Sequence, residues 1–189
     1  MTGSGRSVDL ELVRFAQQGD HEAFTALARS RGDRLFGIAR RILHDVGLAE
    51  DAVQQALVIA WRELPRLRDP DRFDAWLTRL LVNECFAEAK RGRRLAANVH
   101  ALSLERPSPV DDTQSILDRD QLDRAFRRLP PEQRAILVLR HYLGLDASEI
   151  AATLQIPDGT VRSRMHYAHQ ALRAAREADQ RPAAAGGES

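Results

Sequence analysis

Between Asp9 and Gly92 apolar residues recur three and four positions apart, and no segment alternates with the period of two that a half-buried strand requires. This pattern restricts the chain to an all-α fold. Leu10, Val13 and Phe15 belong to a short first helix that Gly19 and Asp20 end. Asp20 is suited to cap a second helix carrying Phe24, Leu27 and Ala28 toward a stop at Gly32, and Asp33 to cap a third with Leu35, Phe36, Ile38, Ala39, Ile42 and Leu43. A fourth helix is expected from about Leu48 to Leu64, where Pro65 stops it. A loop, Pro65 to Asp71, then precedes a fifth from about Arg72 to Arg91.

From Arg93 to about Thr113 the periodicity lapses, and Pro107, Ser108, Pro109, Asp111 and Asp112 give the composition of an extended flexible linker. Beyond it a helix from Ile116 to Leu129 stops at Pro130. Pro131 is a good first residue for the next, which carries Ile136, Leu137, Leu139 and Tyr142 as far as Gly144. Two more helices are expected at about Ala147 to Leu154 and Asp158 to Arg176. The expected organisation is therefore an unstructured start (1–8), a helical domain (9–94), an acidic linker (95–115), a second small helical domain (116–177) and an unstructured tail (178–189).

Composition narrows the partners. Apolar residues make up 43% and charged residues 29% of the 189, a globular balance. The longest apolar run, Ala56 to Trp61, falls far short of the roughly 18 residues a membrane span needs. The first ten residues lack the apolar core of a secretory signal, so a cytoplasmic location is expected. Cys85 is the single cysteine and has no partner for an internal disulfide or a cysteine-based zinc site. Net charge is only +1, yet it divides into +2 up to Arg94, −3 from Leu95 to Asp118 and +2 thereafter. All but one of the basic residues are arginine, the side chain suited to bidentate phosphate and base contacts.

The segment from Leu145 to Met165 has the form of a helix-turn-helix. Ile150, Ala151 and Leu154 face inward on its first helix, Gln155, Ile156 and Pro157 make the turn, and Val161, Met165, Ala168 and Leu172 form one stripe on the second. At about 100° per residue from Val161, Ser163, His166, Tyr167 and Gln170 point away from that stripe, with Thr160 and Arg162 beside them near the helix start. That end enters the major groove in helix-turn-helix proteins. A solvated helical hairpin is the plainer alternative. His166 and His169 lack a third ligand spaced for a metal, so no metal or cofactor is expected, and no P-loop, dinucleotide turn or zinc-protease motif points to an enzyme.

Two phrases, Arg140 to Ala151 and Ile156 to His166, together with Leu129-Pro-Pro-Glu-Gln-Arg134, resemble domain 4 of the bacterial sigma-70 family in its extracytoplasmic-function (ECF) group. Ala49 to Ala56, Ala60-Trp61 and Phe73 to Leu77 with the basic stretch beyond resemble domain 2. The resemblance covers about Asp9 to Arg176. It implies a dissociable initiation subunit, without a catalytic centre, that binds core RNA polymerase through the β′ clamp helices and the β subunit and directs it to promoter DNA. Carried over by position, Asp158, Gly159, Thr160, Arg162, Ser163, Arg164, His166, Tyr167 and Gln170 would contact the minus-35 element. Arg68, Asp69, Asp71, Asn83, Lys90, Arg91, Arg93 and Arg94 would serve the minus-10 element, whose reader in this family holds a flipped non-template base. Asp51, Gln54, Gln55, Val58 and Arg62, opposite an inward stripe of Val53, Leu57, Ala60, Trp61 and Leu64, would face the polymerase. The resemblance also implies an anti-sigma factor partner. Gln155, Tyr167 and His169 depart from the family's usual residues. The alternatives are a stand-alone helix-turn-helix regulator, or a sigma mimic that sequesters an anti-sigma factor.

Overall fold

A computed structural model of the chain describes residues 3–102 and 117–179. Eight helices make up the described fold: α1 (Gly3–Gln17), α2 (His21–Leu43), α3 (Val46–Glu63), α4 (Phe73–Leu102), α5 (Leu117–Arg128), α6 (Pro131–His141), α7 (Ala147–Leu154) and α8 (Asp158–Asp179). Two short 3₁₀ turns, Leu64–Arg66 and Pro70–Arg72, join α3 to α4. Among the described residues there is no strand, and no helix is long and apolar enough to cross a membrane.

Asp20 caps α2 as expected, accepting from the backbone of Glu22 and Ala23, whereas Asp33 lies within α2 rather than at a helix start, and α3 begins at Val46, capped by Asp45, which accepts from Leu48. The expected stop at Gly32 does not occur. α2 runs through it as one helix of 23 residues, because Leu27, Leu35, Ile38, Ala39 and Ile42 stay on one buried face across the glycine. A single mid-helix glycine costs only about 1 kcal/mol, less than breaking that face would. α1 likewise begins at Gly3, inside the stretch expected to be unstructured, and α4 continues to Leu102, inside the segment expected to be linker. Leucine and alanine dominate Leu95–Leu102, and their helix propensity carries α4 onward without an amphipathic stripe. The remaining linker positions, 103–115, and the tail from 180 lie outside the described residues.

The main core gathers α1, α2, α3 and α4. α3 presents Ala49, Ala52, Ala56 and Ala60, all fully buried, so that α2 and α4 can approach its backbone closely. Of the stripe expected from Val53, Leu57, Ala60, Trp61 and Leu64, Ala60 and Leu64 are fully buried and the other three only half-buried. Trp61 lies at the rim, its ring 4.2 Å from His21 and 5.1 Å from Phe24. Ile136, Leu139, Ile150 and Val161 form the centre of the second unit. The two units are in contact: Ala135 and Val138 of α6 are buried in the core of the first, with Phe126, Leu143 and Leu154 packed at its edge.

Candidate DNA and polymerase interfaces

Residues Asp146 to Gln170 build a helix-turn-helix from local rules. Asp146 accepts from the backbone of Glu149 at 2.8 Å, and the Glu149 carboxylate accepts from the backbone of Asp146 at 2.7 Å, a reciprocal cap that fixes the start of α7. Hydrogen bonds from Ser148 and the Glu149 backbone hold the Asp146 carboxyl below its ordinary pKa. α7 ends at Gln155 in the left-handed region, φ 54°, where glycine is the unstrained residue. The departure noted at this position therefore carries backbone strain.

On α8, Val161 and Ala168 are buried, while Gly159, Arg162, Ser163, His166, Tyr167 and Gln170 are exposed, and Asp158, Thr160 and Arg164 are half-buried. Arg162 is held by Asp158 at 2.7 Å one turn earlier, and the Ser163 hydroxyl donates to the Thr160 carbonyl at 3.1 Å. His169 turns instead toward His141 of α6, their rings 6.0 Å apart. Burial, then the neighbouring His141 charge, lowers its pKa. Among the described residues no three metal-ligating side chains gather into a site.

A second candidate surface surrounds the turns between α3 and α4. Arg68 and Asp69 line a cavity of about 650 Å³ whose wall also includes Arg72, Trp76 and Arg79. Asp69 is engaged locally, accepting from the Asp71 backbone at 3.1 Å to cap the second turn. Phe73, Leu77 and Leu81 are buried, but Trp76 is only half-buried and offers part of its ring to the cavity, 5.9 Å from Phe73. Asp71 and Asn83 do not line this cavity. Asp71 borders a separate hollow with Asp9, Arg31 and Phe73, and Asn83 is exposed farther along α4. Lys90, Arg91, Arg93 and Arg94 are exposed on the same helix, with Arg91 paired to buried Glu88 at 2.6 Å.

Sequence reasoning missed Arg72 and Arg79 as cavity residues, although Trp76 and Arg79, three apart, share one face of α4 and Arg72 directly precedes that helix. It also missed two braces. Gln17 donates from Nε2 to the carbonyls of Leu64 (3.2 Å) and Leu67 (2.6 Å), fixing the entry to the loop. Arg31 fixes its exit, bridging Asp9 and Asp74 at 3.0–3.1 Å with its guanidinium 5.9 Å from the Phe73 ring centre. Burial opposes its charge, but the bonds to Asp9 and the charge of Asp74 outweigh that and raise its pKa. On α3, Asp51, Gln54, Gln55, Val58 and Arg62 are all exposed, Val58 by 46%.

The family model for sigma-70 region 2 matches residues 27–95, and that for sigma-70 region 4 matches residues 119–172. The chain belongs to the sigma-70 family. Among its relatives this sigma factor is 31% identical over 181 residues to the RNA polymerase sigma-H factor of Pseudomonas aeruginosa, covering 87% of this chain and 91% of that one. It is 33% identical over 162 residues to the ECF RNA polymerase sigma factor SigL of Mycobacterium tuberculosis, covering 82% and 92%. A solved structure of CnrH in complex with the cytosolic domain of CnrY matches with a TM-score of 0.63 at 28% identity, over 92% of this chain and 99% of that one. The sigma factor RpoE of Bartonella quintana, solved with the anti-sigma factor NepR, shares the fold at 23% identity, with a TM-score of 0.62 over 83% and 98%. The chain is thus an ECF-type sigma factor, a dissociable initiation subunit that directs RNA polymerase to promoters.

Proposed function

We propose that this sigma factor divides its work among three surfaces. The N-terminal half of α8, led by Arg162 and Ser163 with Thr160, Arg164, His166, Tyr167 and Gln170, enters the major groove at the minus-35 element, with the backbone N–H groups of Asp158 and Gly159 at the helix start toward phosphate. The observation that supports this reading best is that five of these side chains stay exposed while Val161 and Ala168, on the same helix, anchor it in the core. Arginine and small polar groups at a helix start combine phosphate attraction with base-edge hydrogen bonding.

The loop bearing Arg68, Asp69 and Asp71, with Asn83 beyond it, reads the minus-10 element. Arg68 and Asp69 supply a donor and an acceptor beside the half-buried Trp76 ring, the combination that a flipped base requires. Lys90, Arg91, Arg93 and Arg94 hold the backbone phosphates and give affinity without sequence information. The α3 face of Asp51, Gln54, Gln55, Val58 and Arg62 docks on the β′ clamp helices, and the second domain meets the β subunit. Residues 9–94 and 116–177 act as domains 2 and 4, in the cytoplasm, under an anti-sigma factor.

Promoter variants separate these roles. Arg162→Ala is expected to lower transcription from a promoter with an intact minus-35 element and to have little further effect once that element is scrambled. Arg68→Ala should behave the same way toward the minus-10 element. Equal loss on intact and scrambled promoters would overturn the assignments.

A further inference from the structure

A hollow of about 570 Å³ lies where α4 meets the turn between α5 and α6. Four arginines border it: Arg93 from α4, Arg127 and Arg128 from the end of α5, and Arg134 from α6. Among the described residues no carboxylate lines it. Apart from Gly92, the rest of the lining is apolar, with Leu43, Leu48 and Ala89 from the first unit and Leu129, Pro130 and Pro131 from the second. Tyr142, just after α6, sets its hydroxyl 2.7 Å from where a Cβ on Gly37 would stand, and with buried Ala135 and Val138 it keeps the two walls together.

The acidic groups of the surrounding elements do not balance this charge. Asp123 holds Arg127 at 2.9 Å, Glu88 is bound to Arg91 at 2.6 Å, and Asp45 caps α3. Glu132 acts on Arg134 only from outside the lining. Arg134 itself is 8% exposed, and its Nε is buried without a hydrogen-bond partner. Its Nη1 donates to the Arg127 carbonyl at 2.9 Å, occupying an oxygen that would repel an anion. Burial lowers the Arg134 pKa, Glu132 opposes that effect, and Arg93 adds to it. A buried guanidinium with a spare donor, set beside other positive charges, is costly until a counter-charge enters.

Guanidiniums arriving from three helices suit a run of phosphates better than a single one. The start of α6, where Pro130 supplies no side-chain cap, also borders the hollow and adds its positive dipole end. The leucine and proline side chains beside the arginines suit a flat base, on whose face a guanidinium also stacks. The volume is that of a small-molecule site. A nucleic-acid strand needs instead a basic groove that follows its backbone. Here α4 contributes Arg93 alone, because Lys90, Arg91 and Arg94 do not line the hollow.

We propose that this hollow binds a nucleoside polyphosphate, with its phosphates at Arg93, Arg128 and Arg134 and its base against the leucine and proline side chains. Arg93, placed above among the groups that hold promoter phosphates, serves both ligands. Arg128 and Arg134 have no part in that reading, so the two proposals fail separately. His44 reports on the same charge. Burial, then the charge of Arg134, lowers its pKa to about 4, with Arg127 acting in the same direction and Asp123 against it. Bound phosphates offset the two arginines and raise it.

The test titrates the full-length protein, without polymerase and in metal-free buffer, with ATP and with GTP, read by calorimetry and by thermal melts. Nucleotide at about a hundredfold over its Kd should raise Tm by roughly 5–10 °C. Inorganic triphosphate should bind more weakly, and adenosine should not bind. Arg128→Glu, at an exposed residue with no other assigned role, should weaken binding about tenfold or more. Gly92→Met should fill the hollow without changing its charge and should favour the helix, so that binding is lost while the fold is kept. Arg29→Glu, the same charge reversal at an exposed residue away from the lining, should change affinity by no more than about twofold. Saturating ATP should raise the His44 pKa followed by NMR. No binding of either nucleotide, full binding by Arg128→Glu or Gly92→Met, equal loss in Arg29→Glu, or an unmoved His44 would each overturn the proposal. A single-stranded oligonucleotide that binds through Arg128 where free nucleotides do not would assign the hollow to nucleic acid and overturn it as well.

Discussion

Arg31 and Asp74, far apart in sequence, are joined at 3.1 Å through the arginine Nε, so that α2 holds the first turn of α4 just after the turns that follow α3. The same guanidinium reaches Asp9 of α1 through its terminal nitrogens. Both carboxylates are about half-exposed and rehydrate when the arginine is removed. Arg31→Ala should therefore cost only about 1 kcal/mol in urea unfolding. Its larger effect should fall on transcription that depends on the minus-10 element, with polymerase binding preserved. Arg31→Lys should not restore that transcription, because one ammonium cannot reproduce the planar bridge between two carboxylates.

Gln155→Gly should stabilise the fold. The position holds φ 54°, which a side chain tolerates poorly and glycine adopts freely. A gain of about 1 kcal/mol is expected, raising Tm by roughly 2–4 °C in a thermal melt.

Stability should fall with acidification because of His44. Burial, followed by the charge of Arg134, lowers its pKa from 6.5 to about 4. Its Nε2 is buried without a hydrogen-bond partner, and its ring lies 5.4 Å from Phe126 across the contact between the two units. Between those pH values the unfolded chain takes up a proton that the folded chain refuses, so stability declines as pH drops through the window. His44→Asn should flatten the slope measured by urea midpoints from pH 7 to 4, since asparagine accepts the φ of 56° and does not titrate. His169, lowered in the same direction, leaves a residual slope.

Replacing Asp51 and Gln55 together with alanine should weaken binding to core polymerase while leaving the thermal melt within about 0.5 kcal/mol of the parent. Both side chains are exposed on α3, opposite the alanine face that supports the fold. A fluorescence titration with core enzyme measures the effect.

Most of the helices and the helix-turn-helix were legible because they rest on local signals: Asp20 as a cap, Pro131 as a first residue, Val161 and Ala168 as a stripe. Gly32 misled because a glycine ends a helix only when the apolar face also ends, and Leu27 to Leu35 continues it. The alanine face of α3 was passed over in favour of larger residues, although close helix approach selects for small ones. Gln17 to Leu67, Arg31 to Asp74 and Tyr142 to Gly37 were not legible at all. Each joins elements whose approach is set by packing of the whole core, and no spacing along the chain encodes it.

Run-off transcription with purified core polymerase, on a promoter whose start site is mapped after overexpression of this protein, separates a promoter-directing subunit from a protein that only binds DNA. A discrete transcript is predicted only when the protein is added, and scrambling either the minus-35 or the minus-10 element should sharply reduce it. No added transcript, or one indifferent to both elements, would rule out promoter recognition by this protein.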